Sequence, residues 1–172
     1  NKAYVKQIGD NLTSKQLQVG NQNKAEVEFK GNNYKTQQDE AAWSSYQEQV
    51  GSYNKSMLLI SNSSPNTNAY TLQHGQSNKI KSELSENYNY LYILQQGNEN
   101  IATSETSEGD WNEIYIYQTG EQNKVGEIWS KGIKQKGELN DANILQIGNK
   151  NRARTSQTGV NNQVRIKQTD NK

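Results

Sequence analysis

The stretch Asn112-Glu-Ile-Tyr-Ile-Tyr-Gln118-Thr-Gly120-Glu-Gln122 contains the pattern that decides the fold. Asn, two aliphatic residues and Gln stand at its first, third, fifth and seventh places, and Gly follows the Gln by two. Residues that recur at every second position lie on one face of a β-strand. Gly supplies the backbone freedom that a tight turn needs. The stretch therefore predicts a strand of about seven residues followed by a turn of about four.

This eleven-residue unit recurs along nearly the whole chain. Units begin near residues 1, 12, 23, 34, 43, 54, 67, 78, 89, 100, 112, 123, 140, 151 and 162. The step from 34 to 43 is short and its register is poorly matched. The long step from 123 to 140 predicts a loop insertion at residues 131–139, with Trp129 in the Gln place of its unit. Self-similarity at a fixed period is the signature of a repeat architecture.

Two units make one flattened coil of about 22 residues, and such coils stack about 4.7–4.9 Å apart. The predicted fold is all-β: a β-solenoid of about seven to eight two-stranded coils, with eleven-residue half-repeats, parallel cross-β stacking and open ends. It forms a single domain over residues 1–172. The predicted interior is a thin bilayer of Ala, Val, Ile and Leu. Turn glycines are expected at Gly9, Gly20, Gly51, Gly75, Gly97, Gly120, Gly148 and Gly159.

Buried amides are costly unless they are hydrogen-bonded. In-register stacking allows each Gln to bond the Gln above and below it, so the repeated Gln predicts an amide ladder along the solenoid.

The outward positions also form columns, because successive units are expected to alternate between two faces. One face carries the candidate lateral contact residues Tyr46, Tyr70, Tyr92, Tyr115 and Tyr117. Aromatic pairs on neighbouring rungs stabilise strands, and exposed apolar patches mediate association; both interpretations are compatible with this stripe. The other face is expected to be solvated and to carry Lys15, Lys81, Glu83, Glu105 and Arg154.

The composition limits the classes of function. Only 30% of residues are hydrophobic, the mean hydropathy is −1.13, and Asn and Gln make up about a quarter of the chain. Such a composition favours disorder, but the fixed intervals between the Gln and Asn residues indicate order. A net charge of +1 with interspersed signs argues against nucleic-acid binding. The sequence contains no Cys and no apolar run long enough for membrane insertion.

The sequence carries no constellation of catalytic residues. Its single His, His74, lies within a Gln-x-Gly turn and is interpreted as a solvated turn residue. Nucleophile-elbow, P-loop and His-rich metal spacings are missing. We therefore predict that the chain is not an enzyme and uses no cofactor or metal.

The first and last units, residues 1–7 and 162–168, both match the repeat well. An uncapped solenoid end is a row of unpaired backbone groups. Head-to-tail contacts that do not close on themselves generate filaments. The pattern therefore predicts a chain that polymerises with itself.

The repeated phrase φ-x-φ-x-Gln-x-Gly-x-x-Asn-x-φ, in which φ is a small or aliphatic residue, resembles the curlin repeat, and the resemblance covers nearly the full chain. The family comprises subunits of curli, which are bacterial extracellular amyloid fibres. The resemblance implies a secreted protein whose signal peptide has been removed, and export through an outer-membrane pore. It also implies a cell-surface fibre that serves in biofilm matrix and adhesion, with a major or nucleating curli subunit as partner. Both subunit roles remain open.

By motif position, the family's stacking glutamines would be Gln7, Gln18, Gln49, Gln73, Gln95, Gln118, Gln146, Gln157 and Gln168. Its strand-entry asparagines would be Asn23, Asn54, Asn78, Asn89, Asn100, Asn112, Asn123, Asn140, Asn151 and Asn162.

A second class of function is a non-polymerising β-solenoid, either an adhesin or a carbohydrate-binding module that uses the exposed Tyr face. Assembly separates the two classes. A capped module stays monomeric at any concentration, whereas a curlin-like subunit elongates and seeds itself.

Overall fold

The computed structural model describes residues 1–6, 12–30, 43–61, 67–86, 88–127 and 130–170. These residues form seventeen β-strands and no helix. The predictions for Gln7, Gly9, Trp129 and the unit at residue 34 lie outside the described residues.

The strands follow the repeat units closely. Their bounds are β1 Lys2–Lys6, β2 Leu12–Val19, β3 Lys24–Lys30, β4 Trp43–Ser52, β5 Lys55–Ser61, β6 Asn68–Gln76, β7 Lys79–Ser85, β8 Tyr90–Asn98, β9 Ile101–Ser107, β10 Glu113–Thr119, β11 Lys124–Glu127, β12 Ser130–Lys131, β13 Ile133–Lys136, β14 Asp141–Ile147, β15 Arg152–Ala153, β16 Thr155–Thr158 and β17 Gln163–Thr169.

Consecutive strands alternate between two sheets. The first sheet runs β1-β3-β5-β7-β9 and is completed by β11 and β13, then by β15 and β16. The second sheet runs β2-β4-β6-β8-β10-β14-β17. Pairing is parallel throughout, except between β11 and β12. Each sheet therefore has seven rungs, and the prediction of an all-β solenoid with parallel stacking is confirmed.

The register places every residue over its equivalent in the next coil. Ile114, for example, lies between Leu91 and Ala142. Several inward residues of the coils that precede the last rung are fully buried and apolar, among them Ile93, Ile116 and Ile144. Alternation of buried and half-buried residues along β6, β7, β8, β10 and β14 is the period of two that the sequence shows.

The interior is not uniformly apolar, and this part of the prediction needs correction. In the N-terminal coils Gln47 is fully buried, accepts a hydrogen bond from Gln16 Nε2 at 2.8 Å and donates to Ser56 Oγ at 3.0 Å. Ser56 in turn bonds Thr71 at 3.0 Å. Because each of these polar groups has a partner, the network can replace aliphatic packing without leaving a buried amide unbonded.

The predicted loop insertion at residues 131–139 is also corrected. Ile133–Lys136 forms β13, which pairs with β9 and β16. Ile133 is fully buried, and Gln135, with 1% exposure, occupies the Gln place of the coil. The departure from the coil starts after Val125 and ends before Ile133, with β11 and β12 pairing antiparallel within it. Burial of the apolar Ile133 side chain stabilises the return of the chain to the coil at this residue.

The alternation of faces differs from the prediction at the N-terminus. Leu12 pairs with Trp43, so β2 lies directly beside β4, and Lys15 lies beneath Tyr46 on the second sheet. The Lys15 ammonium is 5.7 Å from the centre of the Tyr46 ring. The first and third units, in β1 and β3, correspondingly belong to the first sheet.

Candidate assembly surfaces

Seven glutamines of the second sheet form one continuous ladder. In each step, Nε2 donates to Oε1 of the Gln one coil nearer the C-terminus, at 2.7–2.9 Å. The members are Gln18, Gln49, Gln73, Gln95, Gln118, Gln146 and Gln168.

The second amide hydrogen of each ladder Gln ties the two sheets together. Gln118 Nε2, for example, donates to the carbonyl of Ile101 at 3.0 Å, and the other members reach the equivalent carbonyls at 2.8–3.2 Å. Both amide hydrogens and the amide oxygen of a central member are thus used. The ladder closes the edge of the sandwich as well as stacking its coils.

Two asparagine ladders hold the chain where it enters the strands. Before the first sheet, the backbone N–H of each Asn donates to Oδ1 of the Asn one coil earlier at 3.0–3.1 Å. This ladder contains Asn1, Asn23, Asn54, Asn78, Asn100, Asn123 and Asn151. Before the second sheet, the corresponding ladder contains Asn89, Asn112, Asn140 and Asn162, at 2.9–3.3 Å.

The turn glycines stack as tightly as the amides. From Asn23 to Asn123, Nδ2 of the first Asn ladder donates to the carbonyl of the turn Gly in the next coil at 2.7–2.9 Å. These glycines have φ between 102° and 122°, a region that L side chains rarely adopt: Gly20, Gly51, Gly75, Gly97, Gly120 and Gly148. A Cβ on Gly97 would also collide with the carbonyl of Gly120. The opposite turns use Gly109, Gly137 and Gly159 in the same way.

Gln157 lies outside the long ladder. Its Oε1 accepts from Gln135 Nε2 at 3.1 Å, and the two form a short ladder in the first sheet. Thr106 takes the next place, and Gln135 Oε1 is buried without a partner among the described residues. Sequence reasoning missed Gln135, although the phrase Gln135-Lys-Gly137 repeats the Gln-x-Gly signal.

The tyrosine stripe forms a contiguous column on the outer surface of the second sheet. The register stacks Tyr46, Tyr70, Tyr92 and Tyr115 in succession. Tyr117 lies 5.3 Å from Tyr92, measured between ring centres, and Tyr90 bridges Tyr70 and Tyr115 at 5.9 and 5.4 Å. Tilted rings at these separations attract one another beyond their buried area. The stripe therefore stabilises the sheet whether or not it also binds a partner.

Burial among neighbouring rings changes the ionisation of the stripe. It is the main cause of the raised pKa of Tyr90, Tyr117 and Tyr115, and in Tyr115 it acts with the nearby Glu113 carboxylate to raise the pKa to about 12. At the N-terminal end of the stripe, Tyr46 donates to Glu48 at 2.7 Å, and this hydrogen bond holds the pKa of Glu48 below its ordinary value.

His74 lies beside this carboxylate, with Nε2 2.9 Å from Glu48 Oε1. Within the part of the chain that the structure describes, no group of three or more His, Cys, Asp or Glu residues is arranged to hold a metal ion. The same residues contain no helix long and apolar enough to cross a membrane.

The stacked sheets, amide ladders and glycine turns define a parallel two-sheet β-solenoid. Residues 133–169, from the start of β13 to the end of β17, match the family model of the curlin associated repeat. The resemblance to the curlin repeat that the sequence shows is confirmed over these residues. The family is one of curli-associated structural proteins. Comparison with curated proteins and with solved structures gives no match.

We predict that Gln118→Ala strongly destabilises the fold. The substitution removes the partners of Gln146 Oε1, the Ile101 carbonyl and one hydrogen of Gln95. Each buried group left unbonded costs about 1–3 kcal/mol, so the loss of all three partners should lower the free energy of unfolding by at least about 3 kcal/mol. Denaturant unfolding of Gln122→Ala is the control, because Gln122 is an exposed turn residue whose side chain donates only to Glu99. Equal losses in both variants would contradict a structural role for the ladder.

We also predict a late-titrating tyrosine. Tyr115 should ionise near pH 12, whereas an unperturbed Tyr has a pKa of 10.0. A raised pKa means that the folded state binds the proton more tightly, so this stabilisation is fully present below pH 10 and is lost as the pH rises through 12. Phenolate absorbance of Tyr115→Phe should lose the component that titrates near pH 12. The control Tyr53→Phe, at a side chain that is 54% exposed, should retain it.

Proposed function

We propose that the chain is a structural subunit of an extracellular amyloid fibre that grows by stacking the C-terminal coil of one molecule on the N-terminal coil of the next. The observation that carries this proposal is the polarity of the glutamine ladder. Every step donates toward the C-terminus, so Gln168 retains a donor hydrogen and Gln18 retains an acceptor oxygen. These groups complement each other head to tail, whereas like ends would oppose donor to donor or acceptor to acceptor.

The apolar interior supports the same arrangement. Val27 and Leu58 in the central coils are 0% and 1% exposed, but Val5, in the same inward column, is 42% exposed on the first rung. Val164 and Ile166 on the last rung are half-buried. Stacking would remove this surface from water, which stabilises the junction by about 25 cal/mol for each Å² of apolar area that is buried. Backbone groups of the edge strands would gain partners in the same step.

One junction position is poorly matched. Continuing the register places β2 of the next molecule beside β17, with Gln16 beside Ile166. Within the chain, the oxygen of the neighbouring Gln47 accepts from Gln16, but Ile166 offers no donor to Gln16. The junction is therefore weaker than an internal rung, and it is where a fibre should break or where addition should be slow.

The proposed biological setting of the fibre rests on the match to the curlin repeat. We propose a secreted protein located at the cell surface, exported unfolded through an outer-membrane pore and assembled with a nucleating or major curli subunit. Its fibres would serve in biofilm matrix and adhesion. A chain without Cys suits export in the unfolded state.

The basic test is to dilute denatured chain into buffer and follow thioflavin T fluorescence and electron microscopy, with and without preformed seeds. We expect seedable filaments with a meridional repeat of about 4.7–4.8 Å. A stable monomer that does not bind the dye would instead favour the non-polymerising module that uses the tyrosine face.

Gly159→Ala provides a sharper test of head-to-tail growth. A Cβ on Gly137 would meet the carbonyl of Gly159 one coil further on, but a Cβ on Gly159 meets only Asn162 Nδ2, at 3.5 Å. With φ at 114°, the substitution costs about 1–3 kcal/mol in the free molecule. Its clash arises only when another coil is stacked on the C-terminal end. The variant should therefore add to wild-type seeds through its N-terminal end and then stop growth.

Seeded elongation with a small fraction of the variant measures this capping. The control is Val160→Ala in the same turn, a residue with a 63% exposed side chain and no left-handed backbone. Circular dichroism verifies that both variants fold. Elongation by Gly159→Ala at the rate of Val160→Ala would rule out stacking on the C-terminal coil.

We further propose that the tyrosine stripe is a lateral contact surface between filaments. Replacing Tyr46, Tyr70, Tyr92 and Tyr115 with Ser should leave single filaments intact but unbundled, because the ladders and the core are untouched. Replacing the same four residues with Phe keeps the rings and should preserve bundling. Electron microscopy scores both. Failure of single filaments in the Ser variant would assign the stripe to stability alone.

A further inference from the structure

A column of cations runs along the outer surface of the first sheet, opposite the tyrosine stripe. The register places the residue that follows each ladder Asn in one line, which we call the lysine column. Its members are Lys2, Lys24, Lys55, Lys79, Lys124 and Arg152, with Ile101 between Lys79 and Lys124. Six steps of about 4.8 Å give the column a length of about 29 Å.

Among the residues that the structure describes, most of this charge has no partner carboxylate. Lys24 Nζ pairs with Glu26 at 2.9 Å. Among the described residues, no carboxylate forms an ion pair with Lys55, Lys79 or Lys124. Glu26 lies two places along β3 from Lys24, whereas Glu83 and Glu105 lie four places further along their strands than the column. That is about 13 Å away, beyond a Debye length of about 8–10 Å at physiological salt.

Like charges on adjacent rungs destabilise a sheet, so the column opposes folding of the chain alone. A net charge of +1 would permit these cations to be distributed among the acidic residues. Their alignment along one line therefore points to a polyanion that neutralises them.

The surface of the lysine column is concave at Ile101, where an apolar residue takes the place of a cation. The surface there forms a depression of about 670 Å³ around Ile101. Four cations line it, Lys79, Lys124, Lys150 and Arg152, together with the carboxylate of Glu99, which accepts from Gln122. The cations of the neighbouring rungs thus converge where the column itself lacks one.

An apolar groove of about 140 Å³ runs beside the column. The partly exposed side chains of Met57 and Ile101 line it, together with the column lysines, Glu26 and Lys81, and the buried Ile80 and Ala102 lie beneath. The apolar side chains of the groove and the ammonium groups beside it suit a chain of sugar rings. The C–H faces of the rings would pack on the apolar side chains, and their carboxylates would bind the ammonium groups.

We propose that the lysine column binds an extended acidic polysaccharide with one carboxylate per sugar. In an extended, two-fold chain of sugars the carboxylates project to alternating sides, so the carboxylates of every second sugar can meet the cations along the column. Duplex DNA returns a strand to the same face only once per turn of about 34 Å, so it meets a column of about 29 Å at only one or two places. Single-stranded nucleic acid favours aromatic stacking platforms, and the described lining of the groove contains no aromatic residue.

The test uses fluorescence anisotropy of end-labelled oligogalacturonates of increasing length, with the soluble chain and, separately, with sedimented fibres. The column variant is Lys55→Gln/Lys79→Gln/Lys124→Gln. The matched control is Lys15→Gln/Lys134→Gln/Lys167→Gln, which lies off the column. Each variant lowers the net charge by three, from +1 to −2. All six substitutions keep polar side chains at the surface, so both variants should fold.

Wild-type and control chains should bind alike, with affinity rising as the oligomer lengthens toward the span of the column and falling with salt. The column variant should bind at least about tenfold more weakly. Methyl-esterified oligomers should not bind. Equal weakening in both variants, binding independent of length, or no binding by the wild type would overturn the proposal. Duplex DNA that binds as tightly as the oligogalacturonate, with the same dependence on the column, would overturn the assignment to a polysaccharide.

Discussion

The carboxamide of each ladder glutamine has to be bonded on three sides, and the rest of the structure depends on this constraint. One hydrogen and the oxygen bond the coils on either side, and the second hydrogen bonds the opposite sheet. Only an in-register stack at a constant rise satisfies all three, because a slip of one residue would turn every amide outward. The same constant rise brings the turn backbones so close that Gly97 cannot carry a side chain, and it allows each strand-entry Asn to bond the Asn of the previous coil.

The hydrogen bonds between ladder glutamines also give the solenoid a direction. A ladder of amides is polar, so the two ends of the solenoid differ in their hydrogen-bonding groups even though their sequences are similar. The interior differs too. The N-terminal coils enclose the Gln16, Gln47 and Ser56 network, whereas the C-terminal coils are aliphatic around Ile116 and Ile144. Polar networks tolerate exposure to water better than apolar surface does. The N-terminal rung therefore loses less by remaining uncovered than the C-terminal rung does.

The period of two and the recurring Gln-x-Gly phrase were enough to predict the fold class, the long glutamine ladder and the stacked tyrosines, because these features depend only on local spacing and register. The errors arose where spacing is ambiguous. The extra length between Asn123 and Asn140 could be placed anywhere within the unit, and only burial of Ile133 and Gln135 locates it after Val125. The face of Lys15 depends on how many units precede Tyr46, so one miscounted unit moves it to the other sheet. The repeated Asn-Lys pairs indicate the lysine column, but a single charged residue beside a turn is more often an ordinary solvent-exposed residue than part of a binding surface.

Register also explains how a short repeat can build two different surfaces. Because each residue stacks on its equivalent, any residue type that recurs at one place in the unit becomes a continuous column. On the second sheet this produces rings in mutual contact, and on the first it produces a line of ammonium groups. Two lysine columns cannot face each other without strong repulsion, whereas two tyrosine stripes can meet and bury apolar surface. Lateral contact through the stripe would therefore join filaments in pairs with both lysine columns outward, which limits bundling and leaves the cations available to an anionic polymer along the whole fibre.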